Sequence, residues 1–235
     1  MRHSLWFACA LTLVACGSSS TSSSGGGGGS SSSSGGGPGI NSSPEQGVAT
    51  YYAATGDGAC GFGPSPNDLN VAAMDNPEWN GSAVCGECVT VTGPKGSVTV
   101  RIVDLCPECE PGHLDLSQQA FAQIADVSAG KVPITWKVVA CNVTGNVAYQ
   151  IKDGSSQYWT AIQVRNSRLP IAKLEWQQNG AWVDVARADY NYFVVASGVG
   201  PASYQVRITS STGETLVDTL PPVQPNTVVQ GSGQF

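Results

Sequence analysis

The chain has 235 residues, of which only 12 % are charged, and a formal net charge of −6. That length sets one or two domains, and the lack of any basic block argues against nucleic acid as a partner. The acidity is lopsided: residues 44–145 hold eleven Asp and Glu against four Lys and Arg, whereas 146–235 hold six of each, so strongly anionic polymers such as pectin are disfavoured for the first half.

The N-terminus reads as an address. Arg2 and His3 precede an apolar run from Leu5 to Ala15, shorter than a membrane-spanning helix and suited to an export signal. The run ends in Leu13-Val14-Ala15-Cys16, which resembles a bacterial lipobox. That resemblance implies cleavage before Cys16, lipidation of its thiol, and anchoring at the outer membrane or cell surface. The plainer reading is a secretory signal cut further on; either one exports the protein. Residues 1–16 are therefore taken as a lipoprotein signal and 17–43, almost pure Ser and Gly, as a disordered tether. Such a tract cannot bury enough apolar surface to offset its ordering. As a random coil it reaches roughly 25–30 Å.

The first folded region, 44–142, opens with the strand candidate Gly47–Tyr52. Val89 and Val91, the turn Thr92–Gly96, then Val98, Val100 and Ile102 predict a hairpin. The second strand runs into Asp104. A Cys-, Pro- and Gly-rich loop follows, and Asp115 then stands between Leu114 and Leu116. Those flanks put Asp115 at the edge of apolar surface, where desolvation raises a carboxyl pKa. A place at the helix start is the plainer reading. Ser117 is the predicted N-cap of a helix over Gln118–Ala125, with Ala120, Phe121 and Ile124 on one face. Val132, Ile134, Trp136 and Val138 alternate as a further strand. Many short strands with one short helix suit a small closed barrel.

The second region, 146–235, has almost no helix signal. Ile162 and Val164 mark one strand, and Leu174–Trp176 and Trp182–Val185 flank a turn at Asn179-Gly180. Phe193–Val195 forms another, and Val206–Ile208 and Leu216–Val217 flank Ser211–Glu214. This spacing predicts a β-sandwich, with Pro221–Phe235 irregular. Trp136 and Trp182 fit strand alternation and are read as core; His113 is read as an exposed loop residue.

Outside Cys9 and Cys16, six cysteines remain: Cys60, Cys85, Cys88, Cys106, Cys109 and Cys141. The two Cys-x2-Cys pairs lie seventeen residues apart, a zinc-like spacing. Export and an even set in one small region favour disulfides instead, so neither a metal nor any other cofactor is expected.

The pattern Asp104-x-Cys106-Pro107-x-Cys109…Leu114-Asp115-Leu116-Ser117 resembles the acidic loop of expansins. Gly47–Tyr51, Gly93–Gly96, Trp136–Val139, Thr144–Asn146, Tyr149–Trp159, Ala161–Asn166 and Asp189–Asn191 extend the resemblance over both regions. It implies an all-β fold with one short helix: a six-stranded double-psi β-barrel followed by an immunoglobulin-like, carbohydrate-binding β-sandwich. It also implies Asp115 as the critical barrel carboxylate with Asp104 beside it, and Thr50, Tyr51 and Glu108 in the groove. Cys106 replaces the family's usual aromatic. In the sandwich, Tyr158, Trp159 and Tyr190 map to a sugar-stacking platform beside Lys152. On a regular strand Tyr158 and Trp159 point to opposite faces, so presenting both requires a bend after Gly154–Ser156. Asp104 has a second reading, as a cap for a buried loop. The pairing implied is Cys88–Cys141, Cys60–Cys85 and Cys106–Cys109, the alternative being Cys60–Cys106 with Cys85–Cys109.

Glycoside hydrolysis normally takes two carboxylates. Related glucanases carry their base just after the opening strand, where this chain has Tyr51–Thr55 and no carboxylate before Asp57. The expected function is therefore non-hydrolytic loosening of wall polysaccharide by a monomer that binds β-1,4-glycan, without enzymatic turnover. The partner is an insoluble polymer such as cellulose, xylan or peptidoglycan, and the membrane is met through a lipid anchor alone. The alternatives are a peptidoglycan lytic transglycosylase working with one Asp, and an inactive wall-binding lipoprotein.

Overall fold

The computed structural model describes Ile40 and residues 42–235. The export signal, Cys16 and nearly all of the tether lie outside the described residues. Ile40 already packs against the first hydrophobic core, ahead of the expected start at residue 44.

Six strands close into a barrel: β1 (Glu45–Tyr52), β2 (Val71–Asp75), β3 (Cys88–Gly93), β4 (Gly96–Cys106), β5 (His113–Ser117) and β6 (Val132–Val139). Their order is β1-β5-β2-β4-β3-β6, with β1/β5 and β2/β4 parallel and the other pairs antiparallel. The alternating residues of β6 bury Val132, Ile134, Trp136 and Val138, as period two requires. The β3–β4 hairpin pairs Gly93 with Gly96. A Cβ on Gly93 would lie 2.9 Å from the Ile124 carbonyl oxygen, so only glycine lets the hairpin approach the helix end. Helix α2 (Gln118–Ile124) is capped by Ser117, whose hydroxyl accepts the Ala120 N–H at 3.0 Å. It buries Ala120, Phe121 and Ile124 against the barrel.

Three barrel elements lie outside the expected set. β2 is buried along its whole length and so shows no alternation. β5 is the strand that holds Asp115, two residues before the helix cap, so Asp115 belongs to a sheet and not to the helix start. The short helix α1 (Asn76–Trp79) follows β2, capped by Asp75, which accepts the Glu78 N–H at 3.0 Å.

The second module stacks two sheets. One has the order β10-β9-β13-β14, from β9 (Ile171–Gln178), β10 (Ala181–Val185), β13 (Tyr204–Ser210) and β14 (Thr215–Leu220). The other is β11-β12-β8-β7-β15, from β7 (Ala148–Ile151), β8 (Thr160–Arg165), β11 (Arg187–Ala188), β12 (Tyr192–Val195) and β15 (Thr227–Gln230). Tyr149, Ile162, Leu174, Phe193, Val206 and Ile208 fill the space between them. The C-terminal stretch is not irregular throughout: β15 pairs antiparallel with β7. Four residues behind a proline, half exposed on an edge, give no pattern until β7 supplies the partner. Trp182 is half exposed and not core; the Arg207 guanidinium covers its ring at 4.7 Å.

The structure pairs Cys60 with Cys85, Cys88 with Cys141 and Cys106 with Cys109. The first bridge lies under the junction of the two modules. Gln163 Nε2 and Asn191 Nδ2 both donate to the Cys60 carbonyl, at 2.8 and 3.2 Å. Arg165 donates to the Gly61 carbonyl at 3.1 Å, and Arg187 to that of Ser82 at 3.1 Å. One disulfide thus ties together the two barrel loops onto which the sandwich docks.

Glu87 is buried beside this junction with one carboxylate oxygen lacking a partner, and burial pushes its pKa up to about 8 against the opposing charge of Arg187. The unfolded chain releases that proton near pH 4.3. The stabilisation is therefore complete below that value and is lost as the pH rises toward 8. Melting temperature is expected to fall by roughly 3–5 °C per pH unit across this window. Glu87→Gln should flatten the profile in differential scanning calorimetry; an unchanged slope would assign the pH response to other groups.

Candidate functional site

Parallel pairing of β1 and β5 sets Thr50 opposite Asp115. Thr50 Oγ1 donates to Asp115 Oδ1 at 2.6 Å and lies 2.9 Å from His113 Nε2. His113 and Asp115 are two residues apart on one strand and so share a face. Between them Leu114, with Leu116 beyond, turns fully into the core. Ala73 of β2 pairs with Asp115 on one side and Asp104 on the other. Thr50, Asp115, Ala73 and Asp104 thus form a row across four strands, in which Ala73 is buried between the two carboxylates. The strand spacing puts their backbones roughly 9–10 Å apart.

Burial is the main cause that raises the Asp115 pKa, with Glu108 and Asp104 adding to it and Thr50 and His113 opposing it. His113 is no free loop residue. It sits on β5 bonded to Thr50, and burial first, then Lys131, lower its pKa. Asp104 Oδ1 accepts the N–H of Ala59 at 2.8 Å and of Leu105 at 2.9 Å. A Cβ on Gly58 would meet the Asp104 carboxyl carbon at 2.4 Å, so the loop closes on Asp104 only through glycine. Asp104 is therefore a loop anchor that also borders the groove. Asp57 is spent on its own turn, accepting the N–H of Gly58 and Gly63.

Tyr51 does not face the groove. Alternation from Thr50 sends it inward, where its ring packs on Phe121 at 5.0 Å. The next residue, Tyr52, lies on the groove side instead, against Ala73 and the Cys106–Cys109 bridge. Its hydroxyl is buried without a partner, and burial together with Asp104 and Asp115 raises its pKa. Neither Tyr52 nor His113 was singled out for the site by the sequence. Their alternation with Thr50 and Asp115 was the available signal. Glu108 is exposed in the pinned turn and acts on Asp115 and His113 through its charge.

In the sandwich, Tyr158 and Trp159 lie in a tight turn and not on a strand. Ser156 N–H bonds the Trp159 carbonyl at 2.7 Å, and Trp159 N–H returns to Ser156 at 3.3 Å. Tyr158 is 75 % exposed and Trp159 half-buried. Tyr190 is 44 % exposed, and its ring leans on Tyr192 at 5.9 Å. Lys152 Nζ lies 5.9 Å over the same Tyr192 ring. Lys152 and Tyr190 thus line one shallow cleft, whereas Tyr158 lines another with Gly200, Pro201 and Pro222. Among the described residues no group of His, Cys, Asp and Glu is arranged to hold a metal ion.

A closed barrel with carboxylates along one row, joined to a sandwich that presents exposed tyrosines, one of them beside a lysine, defines a two-module polysaccharide-binding protein. The chain is 41 % identical over 184 residues to Expansin-YoaJ of Bacillus subtilis (strain 168), spanning 75 % of this chain and 78 % of that protein. It belongs to the expansin family. Expansin-like protein 1 of Dictyostelium discoideum is 35 % identical over 201 residues, covering 80 % of this chain and 70 % of that one. The apo Clavibacter michiganensis expansin matches with a TM-score of 0.76 at 34 % identity, over 82 % of this chain and 98 % of that chain. An Asp-to-Asn mutant of that expansin, in complex with cellohexaose, matches with a TM-score of 0.77. Residues 45–136 match a family model described as lytic transglycolase.

Proposed function

We propose that the protein loosens cell-wall polysaccharide without cutting it, holding a β-1,4-glycan along the barrel row while the sandwich grips the polymer. The single observation that carries this reading is the Thr50–Asp115 pair on the groove floor, whose carboxyl group has a raised proton affinity. Such a group hydrogen-bonds a sugar hydroxyl or linking oxygen in competition with glycan–glycan contacts. The cellohexaose complex of the Clavibacter relative supports a β-1,4-glucan as the ligand class. Non-hydrolytic action is supported by the use of the nearby carboxylates: Asp104 and Asp57 both hold backbone amides of one loop. In this reading Tyr158, Trp159 and Tyr190, with Lys152, contact successive sugars, and Glu108 tunes Asp115 from the rim. Residues 1–16 and 17–43 act as export signal and tether, with Cys16 as lipid anchor at the outer membrane or cell surface.

A second reading follows from the lytic transglycolase match to the barrel. There Asp115 acts alone as acid and base, the substrate's own hydroxyl replacing water. Pull-down on cellulose, xylan and peptidoglycan, with mass spectrometry of the supernatant, separates the two. The expected result is bound protein and no soluble products. Anhydro-muropeptides would select the transglycosylase, and reducing sugars a hydrolase.

A further inference from the structure

We propose that the cavity between barrel and sandwich is a binding site for an acidic sugar, a single hexuronate whose carboxylate is held by Arg101 and Arg165 beside the Phe62 ring. The cavity has a volume of about 260 Å³ and is lined from the barrel by Phe62, Gly86 and Arg101 and from the sandwich by Arg165 and Ser167. The Arg101 guanidinium lies 5.5 Å from the centre of the Phe62 ring and that of Arg165 6.0 Å. Two cations therefore stand beside one aromatic ring, and both line the same cavity.

Neither arginine forms an ion pair among the described residues; the ion pairs found there join Lys95, Lys173 and Arg207 to acids. This is notable in a chain with seventeen Asp and Glu. Asp68 favours the charge on Arg101 without pairing with it, while burial and the charge of Arg165 lower its pKa. Two like charges facing a half-enclosed space are unfavourable until an anion joins them. Arg165 is held in place to receive one: its Nε donates to Gln163 Oε1 at 2.6 Å and its NH2 to the Gly61 carbonyl at 3.1 Å. The planar guanidinium suits a carboxylate, and the ring of Phe62 suits the apolar face of a pyranose. Of the barrel acids, Asp68 acts on Arg101, one negative charge against two guanidinium charges, and distant surface carboxylates are screened at physiological salt.

The choice of a sugar carboxylate rests on the glycan-binding reading above; the anion site itself does not. Calorimetric titration of the full chain with sodium glucuronate, glucose and sodium sulfate tests it. Glucuronate is expected to bind at least about tenfold tighter than glucose, since hydrogen bonds to a charged group contribute roughly 1.5–3 kcal/mol. It should also bind tighter than sulfate, which has no ring for Phe62. Arg101→Gln should remove that preference and Arg101→Lys retain part of it, with cellulose pull-down unchanged in both. Equal binding of glucuronate and glucose, full glucuronate binding by Arg101→Gln, or sulfate binding as tight as glucuronate would each overturn the proposal. A wild-type chain that ignores cellulose yet binds glucuronate would overturn the glucan reading alone.

Discussion

Asp115→Asn is expected to lower the weakening of cellulosic paper or wall strips by about tenfold or more. Asparagine keeps the shape and still offers an acceptor to Thr50, but it loses the charge and the transferable proton. A hydrogen bond to a charged group contributes roughly 1.5–3 kcal/mol, which sets that factor. Melting temperature should stay close to wild type, because Asp115 is only half-buried and asparagine still accepts from Thr50. Polymer binding by the sandwich should persist. Tensile creep of the strips and sedimentation with cellulose read the two effects separately. Undiminished creep activity in the variant would move the active groove away from Asp115.

The largest effect on binding is expected from the double change Tyr158→Ala and Trp159→Ala. Stacking on sugar faces draws on aromatic area, and full burial of one such side chain contributes roughly 1.5–3 kcal/mol. Affinity for insoluble polymer should therefore fall by more than about tenfold. Tyr158 stands out from its turn at 75 % exposure, so Tyr158→Ala by itself should leave the melting temperature unchanged. Trp159 is half-buried and its loss should cost some stability, which Trp159→Phe should restore without full binding. If the double variant binds as tightly as wild type per folded molecule, the contact surface lies at the Lys152–Tyr190 cleft instead.

Much of the architecture is legible along the chain. Val89, Val91, Val98, Val100 and Ile102 around Gly93–Gly96 define a hairpin by period two, and β3 and β4 follow it. Asn179-Gly180 supplies the two left-handed residues that join β9 to β10, and both have positive φ. Ser117 is a helix cap by type and position, and caps α2. The loop from Asp104 to Ser117 resembles the expansin acidic loop, and the chain belongs to that family.

What the chain by itself determined, then, are the features set within a few residues of one another: hairpins, a cap, the alternation of β6, and the spacing of a family loop. The tertiary structure decided the rest. Thr50 meets His113 and Asp115 across more than sixty residues, through a parallel pairing that leaves no trace in local sequence. Which of two adjacent tyrosines faces the groove depended on the register of β1, because one residue's shift exchanges the faces of a strand. β2, buried on both sides, had no pattern to display, and β15 became a strand only beside β7. Arg101 and Arg165 come from different modules and share one cavity only because the Cys60–Cys85 loops dock the sandwich there. Short-range patterning encodes local geometry; the meeting of distant side chains is set by strand order, register and the contact between modules.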